Sequence, residues 1–489
     1  MRGFSTLEIL IAFAIGISTL VAVLLVVLGT PTMLENIALR GTAIDQVSEM
    51  LDDARIRAKG NFSNIITIGT TTIGSYETSG ASSSTANGAT KKFSATISWE
   101  DGMGETRFAS VRSAITNTEN LNSDCDPVPT GDWSRARAVS SARVTPKGSY
   151  PITDLAFSDT LAAITVQSTS RVSDPTIFFV NLVNPASPKT IASFDNAPMS
   201  TVGFSAVEIG DGYAYAGNSF GSASAVTCRT ASSCDQIRTY KLSASNKSSF
   251  LSSYKFPTSS TPKAIDANGR SAAVQSLTYY QHRLYVGLVK TKAGSEFNIL
   301  DARNPARLVL LGSYRIGLGV EAILVQGNYA YVATEDHSNT GVDLLVLDIS
   351  NPRSIKKVGT GLQVPGIAYP RDLAISGDRL LFVRTHVNDT VPEFYSFDLK
   401  PDGGLGNSYT QHTYKNVYGI ESQGDLAFLL TGNELGIWDT YNTANTKQIY
   451  QTPLGVNQTA SALKCHGGTL YVASSNSLGF GYLTAIAGS

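Results

Sequence analysis

The sequence is poor in charge. Charged residues fill 16% of its 489 positions, against roughly 25% in ordinary soluble domains. Basic and acidic residues nearly cancel, leaving a formal net charge of −1. There is no basic field to draw in a nucleic acid and no acidic tail, so no nucleic-acid partner is expected. Arg40, Arg55, Arg57 and Lys59 read as one solvated face. Metal-binding residues are scarce too. The five histidines, His282, His337, His386, His412 and His466, stand singly, without the spacing of a zinc or di-metal set. The four cysteines form no CxxC pair. No cofactor or metal is expected. Gly217-Asn-Ser219-Phe-Gly221 matches a nucleophile elbow, but a Ser- and Ala-rich stretch follows where that motif needs a helix. The expectation is therefore a non-enzyme. Glu335, Asp336 and Asp343 flank a polar loop and offer oxygen ligands for Ca²⁺. Without EF-hand spacing they read better as solvated turn acids.

Glycine, serine, threonine and asparagine take the place of charge, which favours strands and turns. An even number of cysteines in an exported chain points to disulfides. Cys228 and Cys234 bracket five polar or small residues and are expected to close a small loop. Pairing of Cys125 with Cys465 follows by elimination if all four are oxidised.

The first residues carry a distinct pattern. Met1-Arg-Gly3-Phe4-Ser-Thr-Leu-Glu8 runs into an apolar stretch from Ile9 to Leu28, and no charge occurs from Ile9 through Leu34. As a helix this stretch spans a hydrocarbon core of about 30 Å, and it is longer than the apolar core of a secretory signal. A plain uncleaved anchor accounts for the run but not for Glu8, since a carboxylate inside a membrane segment is costly and usually functional. The junction, the acid and the run together resemble the processing site of bacterial type IV pilins and pseudopilins. The resemblance implies cleavage by a prepilin peptidase between Gly3 and Phe4, with methylation of the new N-terminus. It makes Glu8 the fifth residue of the mature chain, neutralising the buried ammonium of a neighbouring pilin subunit. Arg2 ahead of the run places the bulk of the chain outside the cytoplasm.

Apolar residues continue at three- and four-residue steps from Leu34 to Ile56, until Gly60. Ile65–Ile68, Lys92–Trp99 and Thr106–Val111 read as strands, with a turn at Asp101–Gly104. Gly80 to Thr90 reads as a mobile loop. The fold class expected here is an α+β pilin module, a long N-terminal helix with a small antiparallel sheet.

After residue 130 a unit recurs seven times: an apolar strand, a turn, then a strand rich in Tyr and Val. Leu155–Val166, Val207–Ala216, Leu277–Val286, Ile323–Val332, Leu373–Phe382, Ile420–Leu429 and Leu463–Val472 begin it. Most copies go on to a strand ending in an Asp or Asn turn, as in Leu344-Leu-Val-Leu-Asp348; Asp348 and Asp301 read as turn caps. Successive copies start about 43–52 residues apart, with one gap of about 70. Such periods built of strands suggest four-stranded propeller blades, and the units resemble the LVIVD repeat family. An all-β propeller of seven blades is expected. The chain stops too early to complete the last blade, so the strand near Arg135 to Thr145 is expected to supply its outer edge.

The expected organisation is a leader at 1–3, a transmembrane and filament-core helix at 4–59, a pilin-like sheet at 60–122, a linker at 123–132 and the propeller at 133–489. The function implied is a minor pilin displaying the propeller for adhesion, at the filament tip, with a surface, glycan or protein ligand. The alternative is a pseudopilin-like part of a secretion or DNA-uptake machine whose propeller recognises cargo. Either begins in the inner membrane; the first ends on the cell surface.

Overall fold

The computed structural model describes most of residues 68–116 and 132–488, with scattered positions between 39 and 50. Residues 1–38 and 117–131 lie outside the described residues, as do several loops, among them 220–234 and 336–341. The chain divides into two compact units, one ending at Asn117 and one running from Thr118 to Ser489, the latter also taking Ala86–Ala89.

The first unit holds an antiparallel meander of four strands, Ile68–Ile73, Tyr76–Ser84, Thr90–Glu100 and Thr106–Thr116. Alternate residues of the third strand, Phe93, Ala95, Ile97 and Trp99, are buried with Tyr76 and Ala43, the period of two that a one-sided sheet demands. Gly80–Ser84 is strand rather than loop, paired from Gly80 opposite Ala95 to Ser84 opposite Lys91. Small β-tolerant residues there are recruited by the long neighbouring strand, which local composition does not reveal.

The expected α+β class is corrected. The described residues are almost wholly β and contain no long helix. Helical backbone is limited among them to Leu39, Arg40, Thr42–Ile44, Gln46 and Met50, apart from three-residue 3₁₀ turns at Trp133–Arg135 and Pro352–Ser354. Among the described residues no helix is long and apolar enough to cross a membrane. The class rested on the N-terminal pattern, most of which lies outside the described residues, whereas the bulk of the chain obeys the two-residue period.

The second unit contains seven four-stranded antiparallel sheets. Their inner strands are Ile152–Ser158, Phe204–Gly210, Val274–Tyr280, Gly319–Gln326, Pro370–Ser376, Gly419–Gln423 and Gln458–His466, in blades 1 to 7. Each inner strand packs against that of the next blade, and that of blade 7 packs against blade 1. Seven hydrophobic clusters fill the seven interfaces, including one of Ile152, Leu155, Ile164, Ala473 and Leu483 between the last blade and the first. The ring is a closed seven-bladed propeller.

Position within a blade explains the residues used. The second strand of blade 1, Leu161–Val166, is buried along its whole length, because neighbouring blades cover both faces, and such strands read as continuous apolar runs. The outermost strands Lys189–Phe194, Lys356–Leu362 and Lys447–Pro453 are half-exposed and carry lysines, a charge that discourages pairing with another chain. Blade 7 takes its outer strand from Arg137–Arg143, paired to Gly481–Ala487 with Leu483 opposite Ala142. The N-terminal end of the unit thus closes the ring, as the repeat count requires. Trp133 anchors the same segment by an edge contact to Phe428 at 4.9 Å.

Candidate functional site

Antiparallel blades give the ring two unlike ends. The connections from first to second strand, and from third to fourth, leave at one end. The former consist of two residues in every blade, and the latter of five or seven. Asp211 (φ 50°), Gln281 (47°), His282 (59°) and Gly327 (57°) hold the left-handed backbone there that two-residue hairpins of this hand demand. Asn181, Asp301 and Asp348 each accept from the backbone N–H two residues on, at 2.8–3.0 Å. The last two are therefore turn caps, and these bonds hold both carboxyls below the usual range, led at Asp301 by the Arg303 side chain and at Asp348 by the Ser350 hydroxyl.

The opposite end carries the connections from second to third strand and from each blade to the next. Their lengths vary widely, from Gly432-Asn433 to residues 255–273. Buried polar groups just ahead of the third strands tie these loops down. Glu296, fully buried, accepts from Thr291 N (3.1 Å), Thr291 Oγ1 (2.6 Å), Ile316 N (2.8 Å) and Gly317 N (2.9 Å). Asp343 accepts from Val364 N at 2.6 Å and Gln236 from Phe256 N at 3.0 Å. Glu393 accepts from Thr413 N, Tyr414 N and His386 Nδ1. Asp343 is thus a buried loop tie and neither a solvated acid nor an exposed Ca²⁺ ligand. Tyr414 stands at φ 54° with its ring 61% exposed and stacked on His412. A bulky residue with positive φ is strained, and such strain persists where its surroundings enforce it; Glu393 supplies that hold.

Between the ends runs a polar central cavity of about 290 Å³. Six inner strands carry a register shift at the same place, between Ile152 and Asp154, Phe204 and Ala206, Val274 and Ser276, Val320 and Ala322, Pro370 and Asp372, and Ala460 and Ala462. The extra residue, Thr153, Ser205, Gln275, Glu321, Arg371 or Ser461, lines the cavity, and Tyr418 takes that place in blade 6. A bulge re-aims a side chain, and here it supplies the layer near the loop end.

Deeper lie Glu208, Glu421 and Lys464. Asp154 accepts from Leu155 N (2.8 Å) and Val207 N (2.9 Å), and Asp372 from Leu373 N (2.9 Å) and Ile420 N (3.1 Å). Each carboxylate staples its own strand to the next blade. Burial pushes the Asp154 carboxyl up to about 6, opposed by Lys464 and the two backbone donors, and burial raises Asp372 likewise. Lys464 lies 3.5 Å from Glu421. Burial works against its charge, but Glu421, Asp372, Glu208 and Asp154 together hold its ammonium well above the usual lysine range.

The residues singled out by sequence do not converge. Gly3, Phe4, Glu8, Cys125, Cys228, Cys234, Asp336 and His337 lie outside the described residues. Cys465 is fully buried and disulfide-bonded. Ser219 is buried, its N–H bonded to Gly203 O at 3.0 Å. His282 joins Asp211 and Tyr279 at the turn end, and His466 stacks on Phe157. Among the described residues no three His, Cys, Asp or Glu are placed to hold a metal. The cavity charges were missed, although one signal exists: Asp-Leu-Ala recurs at 154–156 and 372–374, at the same point of two repeats.

Comparison with known proteins adds one match in sequence. The family model described as LVIVD repeat matches residues 319–360, which is nearly all of blade 4. No curated protein matches. Among solved structures the chain is similar to the N-terminal domain of Nup159, at 14% identity and a TM-score of 0.41, covering 75% of this chain and 99% of that one.

Proposed function

We propose that the propeller is the partner-binding head of a minor filament subunit of the type IV pilin kind, engaging a surface, glycan or protein ligand through its loop end. One observation carries the binding surface: Tyr414, strained and exposed, is fixed there by buried Glu393. Exposed Tyr369 and Leu478 belong to the same end, whereas Val183 is the exposed large hydrophobic in the turn-end connections, among the described residues. Exposed aromatic anchors suit recognition. The filament reading is supported by the Arg2-Gly3-Phe4 junction, by Glu8 and by the uncharged run behind it. The disulfide at Cys465 fits export to an oxidising compartment. In this reading the chain waits in the inner membrane, is cut by a prepilin peptidase, and joins other pilin subunits with the propeller outward. Adhesion is then its output.

Mass spectrometry of the N-terminus in sheared surface filaments tests this. N-methylated Phe4 in the filament fraction is the expected result. An intact Met1, with the protein confined to membranes, contradicts the filament reading and leaves an anchored binding propeller. N-methylated Phe4 absent from surface filaments but present in a secretion assembly favours cargo recognition instead.

A further inference from the structure

We infer that the central cavity binds a small zwitterion of the free amino-acid class at its loop end, with Arg371 receiving the carboxylate and the Gln275 amide oxygen the ammonium. Arg371 and Gln275 are both bulge residues lining the cavity, and Glu321 occupies the bulge position of the blade between them. Lys464 has Glu421 as ion partner, whereas Arg371 makes no ion pair among the described residues, and its Nε is buried without a hydrogen-bond partner. Its guanidinium lies over two rings instead, 5.4 Å from the centre of Tyr369 and 5.9 Å from that of Tyr418. These distances lie within reach of a cation–π contact. Such contacts hold the plane while leaving its in-plane N–H donors for a bidentate carboxylate.

Gln275 shows the converse lack. Its Nε2 donates to Glu321 Oε1 at 3.0 Å, which leaves Oε1 as a buried acceptor with no donor. A buried acceptor without a partner costs stability, as does a buried donor, and a ligand bearing both charges relieves the two at once. Charge balance narrows the choice. Asp154, Glu208, Glu321, Asp372 and Glu421 line the cavity against Arg371 and Lys464. A simple anion is repelled by this surplus, and a simple cation leaves Arg371 unanswered and meets its charge. Size narrows it further: about 290 Å³ lies at the lower edge of ligand cavities, and the polar lining disfavours a greasy occupant.

Isothermal titration of the purified full chain with each of the common L-amino acids tests the inference. Binding of at least one is expected. For that one, the amine lacking the carboxylate and the acid lacking the amine each bind at least about ten-fold more weakly, the worth of one charged hydrogen-bonding contact. Arg371→Gln weakens binding by a similar factor and Arg371→Lys by less. Gln275→Leu serves as the second variant should Arg371→Gln not fold. Failure of every amino acid to bind overturns the inference. So does binding of the deaminated acid as tightly as the amino acid, or full affinity in Gln275→Leu.

Discussion

The two ends of the ring are joined by the same seven sheets but secured differently. At the turn end several connections are secured locally, through two-residue hairpins and side chains that accept from backbone two positions away, alongside a tie from Asp211 to His282 of the next blade. At the loop end the connections range from two residues to nineteen, and several depend on buried groups reaching across some twenty positions, as Glu296 does to Ile316 and Gly317. Local bonding makes a turn cheap to specify and hard to vary. A distant buried tie lets the intervening loop change while its exit stays fixed. Recognition sites concentrate on loops held by a rigid scaffold, and the proposed reading assigns that role to the loop end.

Substitutions at the ties set the contrast most sharply. Glu296→Ala removes the acceptor for four donors in a buried place and is expected to cost about 3–5 kcal/mol, read from urea unfolding. Asp348→Ala, its counterpart at the turn end, is expected to cost only about 0.5–1.5 kcal/mol and closes the ranking. Equal costs would erase the distinction between the ends.

Next in size is the disulfide at Cys465, in the inner strand of the blade that closes the ring. Reduction is expected to lower stability by about 2–5 kcal/mol. Peptide mapping without reductant is expected to join Cys465 to Cys125, and Cys228 to Cys234. A Cys465–Cys228 peptide would contradict this pairing.

The cavity sits between the ends and answers to pH. The Asp154 carboxyl is raised by burial to about 6 in the folded chain from an ordinary 3.8. Between those values the folded chain keeps a proton that the unfolded chain has released. The contribution of Asp154 is therefore greatest below pH 4 and is lost as pH rises through 6. Asp154→Asn is expected to flatten the change in unfolding free energy between pH 4 and 7 by about 1–3 kcal/mol. An unchanged profile would mean that water or Lys464 keeps the carboxylate charged throughout.

What could be read from the sequence follows the same division. The seven repeats, the closing strand near Arg137 and the caps at Asp301 and Asp348 are written locally, in two-residue alternation and turn residues. The bulges are not, because a one-residue slip leaves no mark in composition, yet it turns Gln275, Glu321 and Arg371 into the cavity. Asp343 misled for a related reason: its loop is polar, but the backbone N–H that claims its carboxylate belongs to Val364, twenty-one residues away. The α+β expectation for the N-terminal module rested on a long helical pattern, most of which lies outside the described residues; what is described there is chiefly a sheet obeying the two-residue period.

In the proposed reading the loop end is the working surface. Adherence of cells carrying the double variant Tyr414→Ser/Leu478→Ser, set against Val183→Ser at the turn end, tests it most directly. All three residues are exposed, so folding should survive in each variant. The account predicts that the loop-end variant loses adherence by at least about ten-fold, as removal of an aromatic anchor does, while Val183→Ser adheres normally. Loss in Val183→Ser with adherence intact in the double variant would contradict it.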